Sequence, residues 1–477
     1  MRRTRPLRIL APLLLGCSPA LASGNLPEST ALNLTGTTTG TVALVIFCLA
    51  YLVVMAEEFT DLRKSKPVIL AAGVIWAMIA LAYRGQADAG IVESALRHNT
   101  LEFAELFLFL LSAMTYVNTM DDRLVFESLR AWLVRRGYGY RPLFWFTGFL
   151  AFFLSPVLDN LTTALVMCAV LLAVGKDNER FVSLGCINIV VAANAGGAFS
   201  PFGDITTLMV WQSGLVHFNT FFLLFVPALL NFVVPAALMH FAVPAGRPAP
   251  VTETITMRRG ARRIIFLFAC TIFTAVSFHN FLHLPPFLGM MTGLAYLQLM
   301  SYYLKKTPDH PNDSNGESLT GQVAIRGADR SGFDIFKRLA RAEWDTLLFF
   351  YGVVLCVGAL GLIGYLALAS RVLYTGMGAT LANIAVGFLS AIVDNIPVMF
   401  AVLNMHPDMP VGQWLLVTLT AGVGGSLFSI GSAAGVALMG QARGKYTFFG
   451  HLKWTPVIAL GYAASIATHM GLNGTLF

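Results

Sequence analysis

The sequence predicts an all-α polytopic membrane protein with inverted structural repeats, each holding five spans, a re-entrant hairpin and a broken helix. Three observations predict it. Of the 477 residues, 56% are hydrophobic and only 12% charged, where a soluble domain carries about a quarter charged. Apolar windows of about 20 residues recur, each long enough to cross a bilayer, and they are continuous rather than alternating, which disfavours a β-barrel. Finally, Phe153-Leu154-Ser155-Pro156-Val157-Leu158-Asp159-Asn160 returns as Phe388-Leu389-Ser390-Ala391-Ile392-Val393-Asp394-Asn395.

Each element follows in order. Residues 1–22 read as a secretory signal peptide: Arg2, Arg3, Arg5 and Arg8, a short apolar core, then Ala20-Leu21-Ala22 as a cleavage site. A lipoprotein-like box at Leu14-Leu15-Gly16-Cys17 and an uncleaved anchor helix are the alternatives. The first repeat, 40–243, has spans at 40–56, 67–83, 101–118, 181–213 and 219–243. A cytoplasmic linker, 244–262, leads to the second repeat, 263–472. Its spans are 263–280, 285–304, 345–365, 412–440 and 454–472, with a mobile cytoplasmic linker at 305–344. One further segment lies between the third and fourth spans of each half, 142–175 and 376–405, with the Asp-Asn pair near its middle.

Loop charges set the sidedness. Arg63, Lys64 and Lys66 follow the first span and face inward; so do Arg123, Arg130, Arg135, Arg136 and Arg141, and again Lys176 and Arg180. Segment 142–175 therefore enters and leaves on one side, as a hairpin with Asp159-Asn160 at its tip. The same rule makes the second hairpin open outward. The two halves thus come out inverted although the charge rule knows nothing of the repeat. The net charge of +7 is spent in these loops and gives no reason to expect nucleic acid. The six cysteines, at 17, 48, 168, 186, 270 and 356, lack metal-type spacing, and no cofactor is expected.

Spans 181–213 and 412–440 are too long for simple crossings and carry Gly-Gly breaks. Asn194 to Asp204 (NAGGAFSPFGD) aligns with Val423 to Ser432 (VGGSLFSIGS). Interrupted helices and hairpin tips at membrane depth are the pattern of a secondary transporter. Ionisable groups inside apolar spans are costly and point to function. The predicted central site holds Asp159, Asp394 and Asp204, the amides Asn160, Asn395 and Asn194, and the hydroxyls of Ser155, Thr206, Thr207, Ser390, Ser429 and Ser432. Thr162 and Thr163 adjoin it. Glu102, Glu105 and Glu343 are accessory acids near span ends. These oxygen donors suit a small hard cation. No Lys or Arg occurs near the middle of a hairpin or broken span, which weighs against an anionic substrate.

Plainer readings stand beside these. Asp204 is well placed to cap the helix that begins at Ile205. The glutamates suit an interface, hydroxyls often bond their own helix backbone, and His469 suits packing. An intramembrane aspartyl enzyme is conceivable from paired acids. Asn neighbours and repeated Gly-Gly breaks argue instead for a carrier.

Asp159-Asn160-Leu161-Thr162-Thr163, Asn188 to Thr207 and Glu343-Trp344-Asp345-Thr346-Leu347-Leu348-Phe349-Phe350 resemble the NhaD-type sodium/proton antiporters of the ion transporter superfamily. The resemblance runs from about residue 40 onward. It implies exchange of cytoplasmic Na⁺ or Li⁺ for external H⁺ in the inner membrane of a bacterium, with pH homeostasis as its use. Related dicarboxylate symporters carry Ser-Asn-Thr at the tips, and Asp stands here in place of that Ser. The partners implied are Na⁺, Li⁺, H⁺ and the lipid bilayer, with a homodimer left open. The alternative is a Na⁺-coupled carboxylate or oxyanion carrier of the same superfamily.

Overall fold

The computed structural model describes residues 32–60, 62–84, 90–175, 178–248, 255–307 and 339–477. The segment expected to be a signal peptide, 1–22, and most of the expected 305–344 linker lie outside these residues. The described chain is helical. Eight of its helices are long and apolar enough to cross a membrane.

The first half opens with α1 (Thr38–Met55), capped by the Thr37 hydroxyl accepting from Gly40 N–H. A short α2 (Glu57–Thr60) and α3 (Ser65–Ala82) follow. Helix α4 (Gly90–Asp122) is 33 residues long, well beyond the span predicted at 101–118. Its added N-terminal turns are polar, and Arg97 pairs with Glu93 one turn back at 2.7 Å. Helices α5 (Val125–Arg135), α6 (Tyr140–Leu158), α7 (Asn160–Val174), α8 (Glu179–Gly197), α9 (Ile205–Gln212) and α10 (Phe225–His240) complete the half. The second half contains α11 (Ala261–Leu282), α12 (Pro286–Lys306), α13 (Trp344–Leu362), α14 (Tyr365–Ser370), α15 (Ala379–Ser390) and α16 (Asn395–Asn404). It ends with α17 (Val411–Gly424), α18 (Ala433–Gln441), α19 (Phe448–Leu452) and α20 (Thr455–Leu472).

Both predicted hairpins are thus helix pairs, α6–α7 and α15–α16, and both long spans are interrupted, as α8–α9 and α17–α18. The interrupted helices form the centre. From Leu184 to Gly197 every α8 residue is buried, as is every α17 residue from Gly412 to Gly424. A helix apolar on all sides is walled by protein. Helix α1, by contrast, leaves Leu49 and Leu52 exposed, as lipid-facing positions should be.

Each hairpin is fastened to its broken helix by the same contacts. Ser155 donates to the Ala193 carbonyl at 2.6 Å, and Ser390 to the Ala421 carbonyl at 2.7 Å. Gly196 lies so close to the Phe152 carbonyl that a Cβ would collide with it, and Gly424 stands likewise against the Gly387 carbonyl. The breaks close in parallel too, with Gly197 against Gly203 and Gly425 against Gly431. The halves then interlock: α16 packs on α9, α18 on α7, and α17 on α8.

Candidate functional site

Four helices begin at this interlock, and each starts at a predicted site residue. Asp159 precedes α7, Asp204 precedes α9, Asp394 precedes α16 and Ser432 precedes α18. Helix N-termini carry unpaired N–H groups and partial positive charge, so a carboxylate is stabilised there. Asp159 accepts Thr162 N–H at 2.8 Å and the Thr162 hydroxyl at 2.9 Å. Asp159 does so at φ 66°, a left-handed backbone that side chains other than Gly rarely adopt. Asp204 accepts Thr206 N–H at 3.1 Å, and Ser432 accepts Gly435 N–H at 3.2 Å. The backbones of Asp204 (φ −148°, ψ 146°) and Ser432 (φ −141°, ψ 146°) match. The two breaks therefore share one geometry but not one chemistry.

Asp204 is the hub. The Asn395 amide donates to its two oxygens at 3.0 and 3.3 Å, and Asn160 reaches it at 3.4 Å. Asn160 also donates to Asn194 Oδ1 at 3.2 Å, while Asn194 Nδ2 is buried without a partner. Both hairpin tips thus touch the acid of one break. Asp394 differs from the other two. It makes no capping bond, and its Oδ1 is buried with no hydrogen-bond partner.

A cavity opens onto this cluster. Asp159, Asn160, Thr162, Asp204, Asp394 and Asn395 line it, with Glu343 and Thr346 from the start of α13. Apolar walls come from Phe109 and Met114 of α4, Phe202 within the first break, and Phe268 of α11. Glu343 accepts the Thr346 hydroxyl at 3.2 Å. Among the described residues, no group of three His, Cys, Asp or Glu side chains converges as a resident metal centre would. The donors meeting here are acids mixed with amides.

Several predicted residues stand behind the cavity rather than on it. Ser155 and Ser390 fasten the hairpins. Thr207 donates to the carbonyls of Ser200 and Asp204, and Ser429 faces Met439 Sδ. Thr206 contributes its N–H to Asp204. Glu102 and Glu105 lie on α4 away from the lining, Glu102 beside His98 at 3.4 Å.

The hairpins and broken spans bring no basic residue to their middles, but Lys64, from elsewhere in the chain, lines the cavity with its Nζ 3.5 Å from Asp394 Oδ2. The linear search covered only the hairpins and broken spans, whereas Lys64 comes from the loop before α3. It sits in a basic run with Arg63 and Lys66 that reads as an ordinary interfacial loop. Acids at Glu343 and Asp345 in need of a counter-charge were the available signal. Asn118 of α4 also lines the cavity; as an amide in an apolar span it could have been picked out.

A cavity flanked by hairpin tips and helix breaks, in a polytopic helical protein, defines a secondary carrier rather than an enzyme. A family profile described as citrate transporter matches residues 34–422. The chain is 55% identical to the Na(+)/H(+) antiporter NhaD of Alkalimonas amylolytica, over 100% of this chain and 99% of that one. It is 57% identical to the Na(+)/H(+) antiporter NhaD of Vibrio cholerae, over 96% and 97%. Similarity extends to sodium/proton antiporter 1 of Arabidopsis thaliana, 31% identical over 91% of this chain and 72% of the relative. The chain belongs to the NhaD-type antiporter family, within the broader citrate transporter family. It is a multi-pass protein of the bacterial inner membrane.

Proposed function

We propose that this protein exchanges cytoplasmic Na⁺, or Li⁺, for external H⁺ at the cluster of Asp394, Asp204 and Asp159, with Asn160 and Asn395 supplying amide oxygens. The observation that carries the reading is Asp394 Oδ1, a carboxylate oxygen buried on the cavity with no hydrogen-bond partner. A carboxylate oxygen that faces the cavity and bonds no protein donor is free to take a proton or a metal cation. Either satisfies it and they exclude each other, so one site performs exchange. The two halves are inverted repeats in this reading, and motion of the hairpins against the scaffold exposes the site to alternate faces.

The names of the relatives support the reading. A Na⁺-coupled carboxylate carrier has two observations in its favour, the Lys64 ammonium and the citrate transporter family. Against it, Asp159, Asp204, Asp394 and Glu343 surround the cavity and Lys64 is already paired. An organic anion would meet four acids and one committed base.

Purified protein in proteoliposomes separates the readings. An inward proton gradient should drive Na⁺ movement without citrate, and Asp394→Asn and Asp159→Asn should each abolish it at normal protein levels. Citrate uptake driven by Na⁺, or normal exchange in Asp394→Asn, would overturn the proposal.

A further inference from the structure

Lys64 has no role in the exchange as derived so far, yet its surroundings are built. Its ammonium lies 3.5 Å from Asp394 Oδ2, and the two side chains are only 16% and 14% exposed. It also lies 4.6 Å from the centre of the Phe349 ring, a cation–π contact. The backbone that carries it is pinned. Ser65, the next residue, is buried and donates its hydroxyl to Asp345. One turn on, Val68 packs so tightly on Gly352 of α13 that a Cβ at Gly352 would clash. A fixed root and a flexible four-carbon stem place one positive charge at the cavity wall.

The charged and titratable groups facing it come from every neighbouring element. Among the described residues, Asp394 precedes α16, Glu343 precedes α13, Glu57 is on α2 and Arg63 adjoins in the same loop, while Asp345 holds the neighbouring Ser65 and Tyr51 of α1 faces Asp394. Acids outnumber bases in this shell, so the ammonium has alternative anionic partners within the cavity when it leaves Asp394.

We propose that Lys64 is a tethered internal cation that holds Asp394 while neither Na⁺ nor the exchanged proton does, so that each exchange cycle breaks and remakes this ion pair. The inference rests on the carboxylate-site reading above. Na⁺ arriving at Asp394 Oδ1 must loosen the ammonium held at Oδ2, because the single negative charge of one carboxylate cannot neutralise two cations in so confined a place. The built-in charge therefore weakens apparent Na⁺ affinity. In return it spares the empty carrier a buried, uncompensated carboxylate, which is costly. Lys64 thus acts as a positioning and affinity-setting residue rather than as the transported ion's ligand.

The test is Na⁺ binding to purified full-length protein by calorimetry at fixed alkaline pH, alongside exchange in proteoliposomes. Lys64→Met keeps the stem and removes the charge. It should tighten Na⁺ binding by about threefold or more, the size expected for removing a partly screened ion pair, while slowing maximal exchange. Lys64→Arg, which retains the charge, should lie closer to the unsubstituted protein on both measures. A purely structural lysine would give the opposite sign, weaker binding together with lower thermal stability. Unchanged or weaker Na⁺ binding in a stable Lys64→Met protein would overturn the proposal. Asp394→Asn distinguishes the two levels. Undiminished Na⁺ binding there refutes the carboxylate site itself. Lost binding there with an unchanged affinity in Lys64→Met refutes the tethered cation alone.

Discussion

The Asn395 amide donates to both oxygens of Asp204, at 3.0 and 3.3 Å, and so ties the hairpin tip of one half to the helix break of the other. Asn160 makes the corresponding approach from its own half at 3.4 Å. Hydrogen bonds to a charged group are worth about 1.5–3 kcal/mol when well made. Asn395→Ala should therefore disturb the site more than Asn160→Ala, raising the KM for Na⁺ by roughly tenfold or more. Equal effects in vesicle exchange assays would show that the cross-half bond has no special weight.

The acids and amides of this cluster are legible in the sequence because polar groups in apolar spans stand out against their background. Asp159 and Asp394 announce themselves twice over, by chemistry and by repetition. The hydroxyls are less legible. Ser155 and Ser429 look alike in a string of letters, yet Ser155 bonds a backbone carbonyl and Ser429 faces a thioether. Only three-dimensional packing decides which hydroxyls are consumed. Lys64 is least legible, because loop lysines beside spans are ordinary and only folding brings this one to Asp394. The length of α4 is misread for a related reason. Its first turns are polar, and hydropathy reports where a helix is apolar rather than where it begins.

The glycine fasteners give a stability prediction. A methyl group at Gly196 or Gly424 would strike a backbone carbonyl, which cannot swing aside as a side chain can. Gly196→Ala and Gly424→Ala should each cost about 1–3 kcal/mol or more, as overpacking does. Gly73→Ala in α3 meets nothing within 4 Å and should be neutral. Melting temperatures in detergent would check the contrast, and equal values across the three variants would refute it.

The inverted sidedness expected from the loop charges predicts where the connections of the two hairpins surface. Arg180, beyond the first hairpin, and Asp408, beyond the second, are both exposed. Arg180→Cys should be labelled by an impermeant thiol reagent from the cytoplasmic side, and Asp408→Cys from the periplasmic side. The background must lack Cys48, which is itself exposed. Labelling of both from one side would exclude the inverted arrangement while leaving the cavity geometry untouched.

Competition at shared carboxylates fixes the sign of the pH dependence. In the Na⁺-free state the cluster binds protons that Na⁺ must displace, so the Na⁺-bound state holds fewer of them. Linkage then makes Na⁺ binding weaker as pH falls. Where one acid limits, the KM for Na⁺ should rise about tenfold for each unit of pH decrease on the acid side of its titration. On the alkaline side it should level off once that acid is ionised. Maximal exchange at saturating Na⁺ should change less than KM over the same interval, because high Na⁺ outcompetes the proton. Na⁺ titrations of exchange in everted vesicles at several pH values test this directly. A flat KM accompanied by a steep change in maximal rate would require a pH sensor remote from Asp394 and Asp204, and the shared-site mechanism would then be wrong.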